Sequence, residues 1–138
     1  MAFKIGLEGK LYRGASGSTA SSPVENVKDL SIDMDAQTAT MSNRAGGGWE
    51  SSRVSIRSLN ITWSMIWNSA DADCLFFKNA LINGTVIALN ILDDTGGKGP
   101  DGDFVISKFG RNEPLLEGME ISVEAKVNTT SRAPTWPD

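Results

Sequence analysis

Apolar and polar residues alternate along most of this chain, and that alternation constrains the fold more than any other feature. It is clearest at 119–127, where Met119, Ile121, Val123 and Ala125 are separated by polar residues. The same period of two recurs in four other segments: 3–8, 30–35, 53–57 and 58–67. Shorter apolar strands are predicted at 86–92 and 104–109. Because a period of two puts alternate side chains on opposite faces of a strand, the sequence predicts a mainly β, antiparallel sandwich or partial barrel.

The alternation changes parity at one place. Val54 and Ile56 are out of phase with Leu59 and the apolar residues that follow it. A slip of one residue exchanges the two faces of a strand, so the pattern predicts a bulge or bend near residues 57–58.

One helix is predicted, at about residues 69–82, because apolar residues there recur at helical spacing. Asn68 or Ser69 is the predicted N-cap, and Asp71 and Asp73 fall in the first turn, where the helix dipole favours acids. Gly84 is the predicted stop.

A polar stretch at 36–52 separates two of the predicted strands and is much longer than the two to five residues typical of hairpin loops. It contains Gly46, Gly47 and Gly48, followed by Trp49. A large aromatic side chain beside three glycines has little local core to pack into. Such a loop is therefore predicted to serve function or to contact a neighbouring molecule.

Length and charge limit the classes of function. The chain has 138 residues, which predicts a single domain spanning 1–138, with residues 128–138 as a tail that is mobile or docks on a neighbour. The net charge of −4 argues against tight binding of nucleic acid. The first residues contain charges and no continuous apolar run, so neither a signal peptide nor a membrane contact is expected.

The sequence offers little for catalysis or for binding a cofactor or metal. Histidine is absent, which removes the most common general base and metal ligand. Cys74 is the single cysteine and is interpreted as structural, without a disulfide partner. Four aspartates at 93–103 resemble a calcium loop only in composition, so a solvated turn is favoured. No catalytic, cofactor-binding or metal-binding residue is predicted.

The four tryptophans divide into two groups. Trp63 and Trp67 are in phase with the apolar residues of their strand and are predicted to lie in the core. Trp49 and Trp136 lie outside regular strands and are predicted to make intermolecular contacts.

Several strings occur in an order that resembles phage tail tube proteins of the long-tailed type. They are FKIGLEGKLYRG, ENVKDLSIDMD, RAGGGWESS, LNITWSMIW, SADADCLFFKNALINGT and MEISVEAKV. The likeness covers the chain from Phe3 to about Val127. It implies a sandwich or barrel flanked by one helix, hexameric rings whose inner sheets join into one barrel, and stacking of the rings into a hollow tube through which DNA passes.

The resemblance also implies where the subunit makes contacts. The long loop reaches an adjacent ring or subunit and becomes ordered on assembly, and its contact residues are Arg44, Gly46, Gly47, Gly48 and Trp49. The implied partners are copies of the chain and other tail proteins, such as tape measure, terminator and baseplate or tip proteins. The implied location is the virion tail, assembled in the cytoplasm of a bacterial host.

Acidic side chains in such a lumen would repel phosphate and let DNA move without being trapped. The candidates are Asp33, Asp35, Glu120 and Glu124, on the polar faces of their strands. The period does not fix which face is inside, so outward-facing carboxylates remain the alternative.

The sequence leaves three other functions open. Tube proteins of contractile injection or secretion systems share the implied architecture. A monomeric β-sandwich binding module, for carbohydrate for example, would cluster aromatic residues on one exposed face. An enzyme would need a carboxylate pair or a metal cluster on a concave face, and no convincing one is found.

Overall fold

The computed structural model describes residues 9–41, 44–94 and 96–137. In these ranges the chain forms one helix and seven strands. They are β1 (Lys10–Ala15), β2 (Ser22–Val24), β3 (Val27–Thr40), β4 (Ser52–Ile66), α1 (Ala72–Asn83), β5 (Ile87–Leu92), β6 (Asp101–Asn112) and β7 (Glu120–Val127). The strand predicted at 3–8 lies outside the described residues.

All seven strands belong to one antiparallel sheet in the order β2-β1-β5-β6-β7-β4-β3, curled into a half barrel. The prediction of a mainly β, antiparallel fold with a flanking helix is confirmed, and the partial barrel is the alternative that is found. The two edges of the sheet approach each other, so a groove runs between Leu11 and Val24 on one side and Leu30 and Ile32 on the other.

The inside of the curl, here called the core face, carries the alternating apolar residues of the strands. Ile61 and Met65 of β4 pair with Ala125 and Ile121 of β7, and these residues are almost fully buried. The opposite side is called the outer face. Because the side-chain period is two, Thr62 and Ser64 of β4 and Ser122 and Glu124 of β7 point to the outer face.

The helix closes the core face. Phe77 of α1 meets the ring of Trp63 edge-on, with ring centroids 5.0 Å apart. Arg13 of β1 donates from Nε to Asp73 of the helix at 2.6 Å and lies over the ring of Phe76. The predicted core position of Trp63 is confirmed, since the side chain is buried.

The structural roles of the second core tryptophan and of the cysteine are also confirmed. Trp67 is partly buried against the core and packs edge-on against Phe109. Cys74 is fully buried, and burial raises the pKa of its thiol. A buried, protonated thiol is a poor nucleophile.

The predicted start of the helix is wrong by about three residues. The N-cap is Asp71, whose carboxylate accepts a hydrogen bond from the backbone N–H of Asp73 at 3.0 Å. Asn68 instead accepts from the N–H of Ala70 and forms a turn before the helix. Gly84 ends the helix in a left-handed conformation, φ 65°, as predicted.

The predicted bulge at 57–58 is also misplaced. The register passes from Gln37↔Ile56 to Thr38↔Val54, so the residue without a partner on β3 is Ser55, whose hydroxyl donates to the carbonyl of Gln37. Ile56 is out of phase with Leu59 simply because it points to the outer face, where it is exposed.

The tail folds back on its own sheet, which differs from the expectation of a mobile segment, while its docking on a neighbour stays a prediction. Thr135 exchanges two backbone hydrogen bonds of 2.8 Å with Asp101 at the start of β6. Pro134 passes so close to Gly102 that a Cβ added there would lie 3.0 Å from the proline ring. Only glycine fits that position without displacing the tail.

Candidate subunit interface

The hairpin of β3 and β4 extends past the rest of the sheet. β7 pairs with β4 only from Asn60 onward, so residues 35–58, here called the arm, continue as a two-stranded ribbon. The described strand residues of the arm are exposed on both faces. An isolated two-stranded ribbon is marginally stable in water. A further surface against this ribbon would therefore stabilise it.

The connection at the end of the arm is shorter than the predicted loop of 36–52. β3 continues to Thr40 and β4 begins at Ser52, which leaves 41–51, and residues 42 and 43 of it lie outside the described ranges. The N–H of Met41 donates to the carbonyl of Ser51 at 2.7 Å and closes the base of the connection. The alternation at 36–40 was hidden because these residues are small or polar on both faces.

The predicted contact residues lie together at the tip of the arm. Arg44 begins a short 3-10 turn that ends at Gly46. Gly47 and Gly48 follow with φ of 64° and 88°, a region that side-chain-bearing residues avoid. Trp49 comes next and is 82% exposed. Their contact with another subunit remains a prediction.

More apolar side chains are exposed on the arm than the sequence reading singled out. Met41 is 54% exposed, Val54 55% and Ile56 62%. The alternating pattern of the sequence predicted this hairpin. How far it projects is visible only in the structure, where β7 ends at Val127 and the hairpin continues beyond that point.

The four predicted lumen acids all lie on the outer face. Asp33 is opposite Asn60 of β4, and Asp35 is opposite Ser58. Glu120 and Glu124 of β7 are opposite the outer-face residues of β4 in the same sheet. The structure therefore brings the four carboxylates to the side away from the core, and their position in a lumen stays a prediction.

Lysines that sequence reasoning missed share this face. Lys28 forms an ion pair with Glu120, and that hydrogen bond raises the pKa of the lysine. Lys126 approaches Glu124 at 4.0 Å, and Lys108 is the residue opposite Glu124 on β6. Around Glu120 and Glu124 the outer face therefore carries both positive and negative charges. Lys126 is separated from Glu120 and Glu124 by an even number of positions in the same strand, so the sequence already placed it on their face.

Among the strands that the structure describes, β3 is an edge of the sheet. It has 14 residues and pairs with β4 on one side, and no other described strand pairs with its far side. Unpaired N–H and C=O groups along an edge are a template for pairing with another strand. The edge and the arm belong to the same strand, so one neighbour is able to contact both.

The groove between the sheet edges is lined by residues of β1, β2, β3 and β5 and by the tail. Trp136 of the tail lines it and is about half exposed, and its predicted intermolecular contact is not tested by the fold. Within the described residues no cluster of three or more His, Cys, Asp or Glu side chains is arranged to hold a metal ion. The helix described in the structure is not long and apolar enough to cross a membrane.

No protein-family model matches the sequence, and no curated protein matches it either. Solved structures do match. A chain from the tail of an empty gene transfer agent particle, obtained by helical refinement with C6 symmetry, is 15% identical with a TM-score of 0.79, and the match covers 99% of this chain and 100% of that one.

Two other assemblies contain chains of the same fold. A chain of the SPP1 tail tube is 14% identical over 91% of this chain and 76% of its own, with a TM-score of 0.71. A chain of the sheath–tube complex of an extracellular contractile injection system, PVC, is 9% identical over 98% and 93%, with a TM-score of 0.61. The chain therefore has the fold of tail tube proteins, which is the fold that the sequence resemblance implied.

Proposed function

We propose that this protein is a structural subunit of a phage tail tube and not an enzyme. It assembles into stacked hexameric rings that enclose a hollow conduit for DNA. The observation that carries the proposal is the arm, a two-stranded ribbon exposed on both faces that extends beyond the core. A monomer gains little from such a ribbon, whereas an assembly buries it between subunits.

The open edge of β3 supports closure into a ring. A neighbour that pairs with this edge satisfies its backbone groups and extends the sheet from one subunit to the next. A head-to-tail contact of this kind closes into a ring when the rotation between subunits divides a full turn. The C6 symmetry of the gene transfer agent tail supports six as that number.

The outer face of β3, β4 and β7 is the surface proposed to line the conduit. It carries Asp33, Asp35, Glu120 and Glu124 on strands that follow one another in the sheet. Lys28 and Lys126 lie close to the two glutamates and leave the two aspartates as the main source of negative potential. A weakly acidic wall repels phosphates and lets DNA slide.

The proposed partners are other copies of the chain and further tail proteins, including tape measure, terminator and baseplate or tip proteins. The proposed location is the virion tail, with assembly in the cytoplasm of the bacterial host. The solved structures that share the fold include tube and cap or baseplate assemblies, which supports partners of this class.

A tube of a contractile injection system is the second candidate. The likeness to the PVC sheath–tube complex favours it, because that structure shares the fold over nearly the whole chain. In that case the outside of the tube contacts a sheath. Co-assembly with a sheath protein encoded beside it would distinguish this candidate from a non-contractile tail.

The test is assembly of the purified protein over a series of concentrations, followed by light scattering and negative-stain electron microscopy. We expect rings or hollow tubes above a threshold concentration. Deletion of residues 44–49 is expected to leave a folded subunit that no longer forms tubes. A protein that stays monomeric at every concentration would contradict the proposal and favour the binding-module alternative.

A further inference from the structure

Two leucines at one end of the molecule are almost fully exposed. Leu115 is 96% exposed and Leu116 is 93% exposed. They lie side by side in the connection between β6 and β7, residues 113–119, here called the leucine turn. Two adjacent leucines in water are unfavourable for an isolated subunit, and they are typical of a surface that becomes covered.

The base of the leucine turn is held firmly, although its tip is bare. The N–H of Trp67 donates to the carbonyl of Met119 at 2.8 Å. The guanidinium of Arg111 lies over the ring of Trp67, 5.5 Å from its centroid, and pairs with Glu113. These contacts tie the base of the leucine turn to the end of β4, and any ordering of the turn before binding reduces the entropy lost on binding.

The leucine turn and the tip of the arm lie at opposite ends of the sheet. The arm tip precedes Ser52 at the start of β4, whereas the leucine turn precedes Glu120, which pairs with Ile66 at the end of β4. β4 has 15 residues, so about 45 Å separates the two ends. A contact between these two surfaces on different copies is head-to-tail and repeats along an axis.

The chemistry of the two surfaces is complementary. The leucine turn contains Glu113 and Glu117 and no basic residue. The arm contains three arginines, Arg44, Arg53 and Arg57, against two acids, Asp35 and Glu50. The arm also exposes apolar side chains next to these charges, so each end offers an apolar centre and a rim of opposite sign.

We propose that the leucine turn is the docking site for the arm of a second copy of this chain in the next ring. This rests on the proposed function and adds the receiving surface to it. The leucines supply the apolar centre of the contact against Trp49, Val54 or Ile56, and Glu113 and Glu117 face the arginines of the arm. Opposite charges set the register, and like charges oppose contact between two arms or two leucine turns.

Paired charge reversals test the contact. Glu113→Arg with Glu117→Arg, and separately Arg53→Glu with Arg57→Glu, are each expected to raise the concentration needed for tube formation by about tenfold or more. The protein that carries all four substitutions is expected to form tubes again. The double variant Leu115→Gln with Leu116→Gln is expected to block stacking, while Ile82→Gln, which changes another exposed aliphatic residue, is not.

The outcomes separate this inference from the proposed function. Tubes from the wild type together with rescue by the fourfold variant support both. If the wild type forms tubes and the leucine variant assembles normally, the docking site is overturned. The same holds if the fourfold variant does not regain tube formation. In either case the leucine turn is assigned to a different partner, such as another tail protein. Absence of tubes from the wild type overturns the proposed function and the docking site with it. Thermal unfolding of each variant confirms that it is folded.

Discussion

At the scale of single residues, the most constrained polar group is the carboxylate of Asp103, which is fully buried. It accepts hydrogen bonds from the N–H of Gly17 and from Nε of Arg132 at 2.9 Å. Burial lowers the pKa of Arg132, but its hydrogen bonds to Asp101 and Asp103 raise that pKa above the ordinary value. The ion pair therefore joins the tail and the β1–β2 loop to the sheet.

Replacing Arg132 is expected to lower the free energy of unfolding. Arg132→Ala leaves the buried carboxylate of Asp103 without its cation, and such losses destabilise by about 3–5 kcal/mol. Because Arg132 is itself about one-fifth exposed, we expect about 2–4 kcal/mol of lost unfolding free energy, measured with urea. The control Lys126→Ala removes a solvent-exposed pair and is expected to cost less than about 1 kcal/mol. Equal losses for the two variants would contradict this account.

At the scale of elements, β4, β7 and the first half of β3 were predictable because their apolar residues alternate, and β5 and β6 because of their short apolar runs, whereas β1 and β2 were not predicted. The positions of the N-cap and of the bulge, which depend on hydrogen bonds, were not predicted correctly. Asn68, Ser69 and Asp71 are all good N-cap residues, and Asp71 is the cap because its backbone is extended and its carboxylate accepts from the N–H of Asp73. The position of the bulge was missed because Ser55 lies in the arm, where no core packing records the register.

The N-cap assignment gives a prediction. Asp71→Ala removes the acceptor for the N–H of Asp73 and is expected to lower the unfolding free energy by about 1 kcal/mol. Ser69→Ala, at one of the two positions that the sequence predicted, is expected to have an effect within about 0.5 kcal/mol. Thermal unfolding followed by circular dichroism measures both. A larger effect at Ser69 than at Asp71 would restore the original assignment.

The arm gives a second prediction at this scale. Trp49→Ala removes an aromatic side chain that is mostly in water, so the melting temperature of the subunit is expected to change little. Assembly is expected to weaken strongly, because buried tryptophans contribute heavily to interfaces. Ile82→Ala, at an exposed aliphatic residue of α1, is the control. Sedimentation and melting curves measure the two effects, and an equal loss of stability and assembly in Trp49→Ala would mean that Trp49 belongs to the subunit's own packing.

At the scale of the whole molecule, the sheet separates two faces and two ends. The core face is closed by α1, and the outer face carries Asp33, Asp35, Glu120 and Glu124. The arm projects from one end, and Leu115 and Leu116 are presented at the other. The period of two placed the acids on the polar faces of their strands. Whether such a face lies inside or outside the curl depends on where the helix and the sheet edges pack. That information lies in contacts between residues far apart in the sequence.

Copies of this chain are proposed to form a hollow tube with the outer face of the sheet toward the lumen. A helical reconstruction by electron cryomicroscopy of tubes assembled from the purified protein tests it most directly. We expect a hollow tube with Asp33 and Asp35 on the lumen wall, the edge of β3 paired with a neighbour, and α1 away from the lumen. A solid filament, or a tube with α1 lining the lumen, would contradict the account.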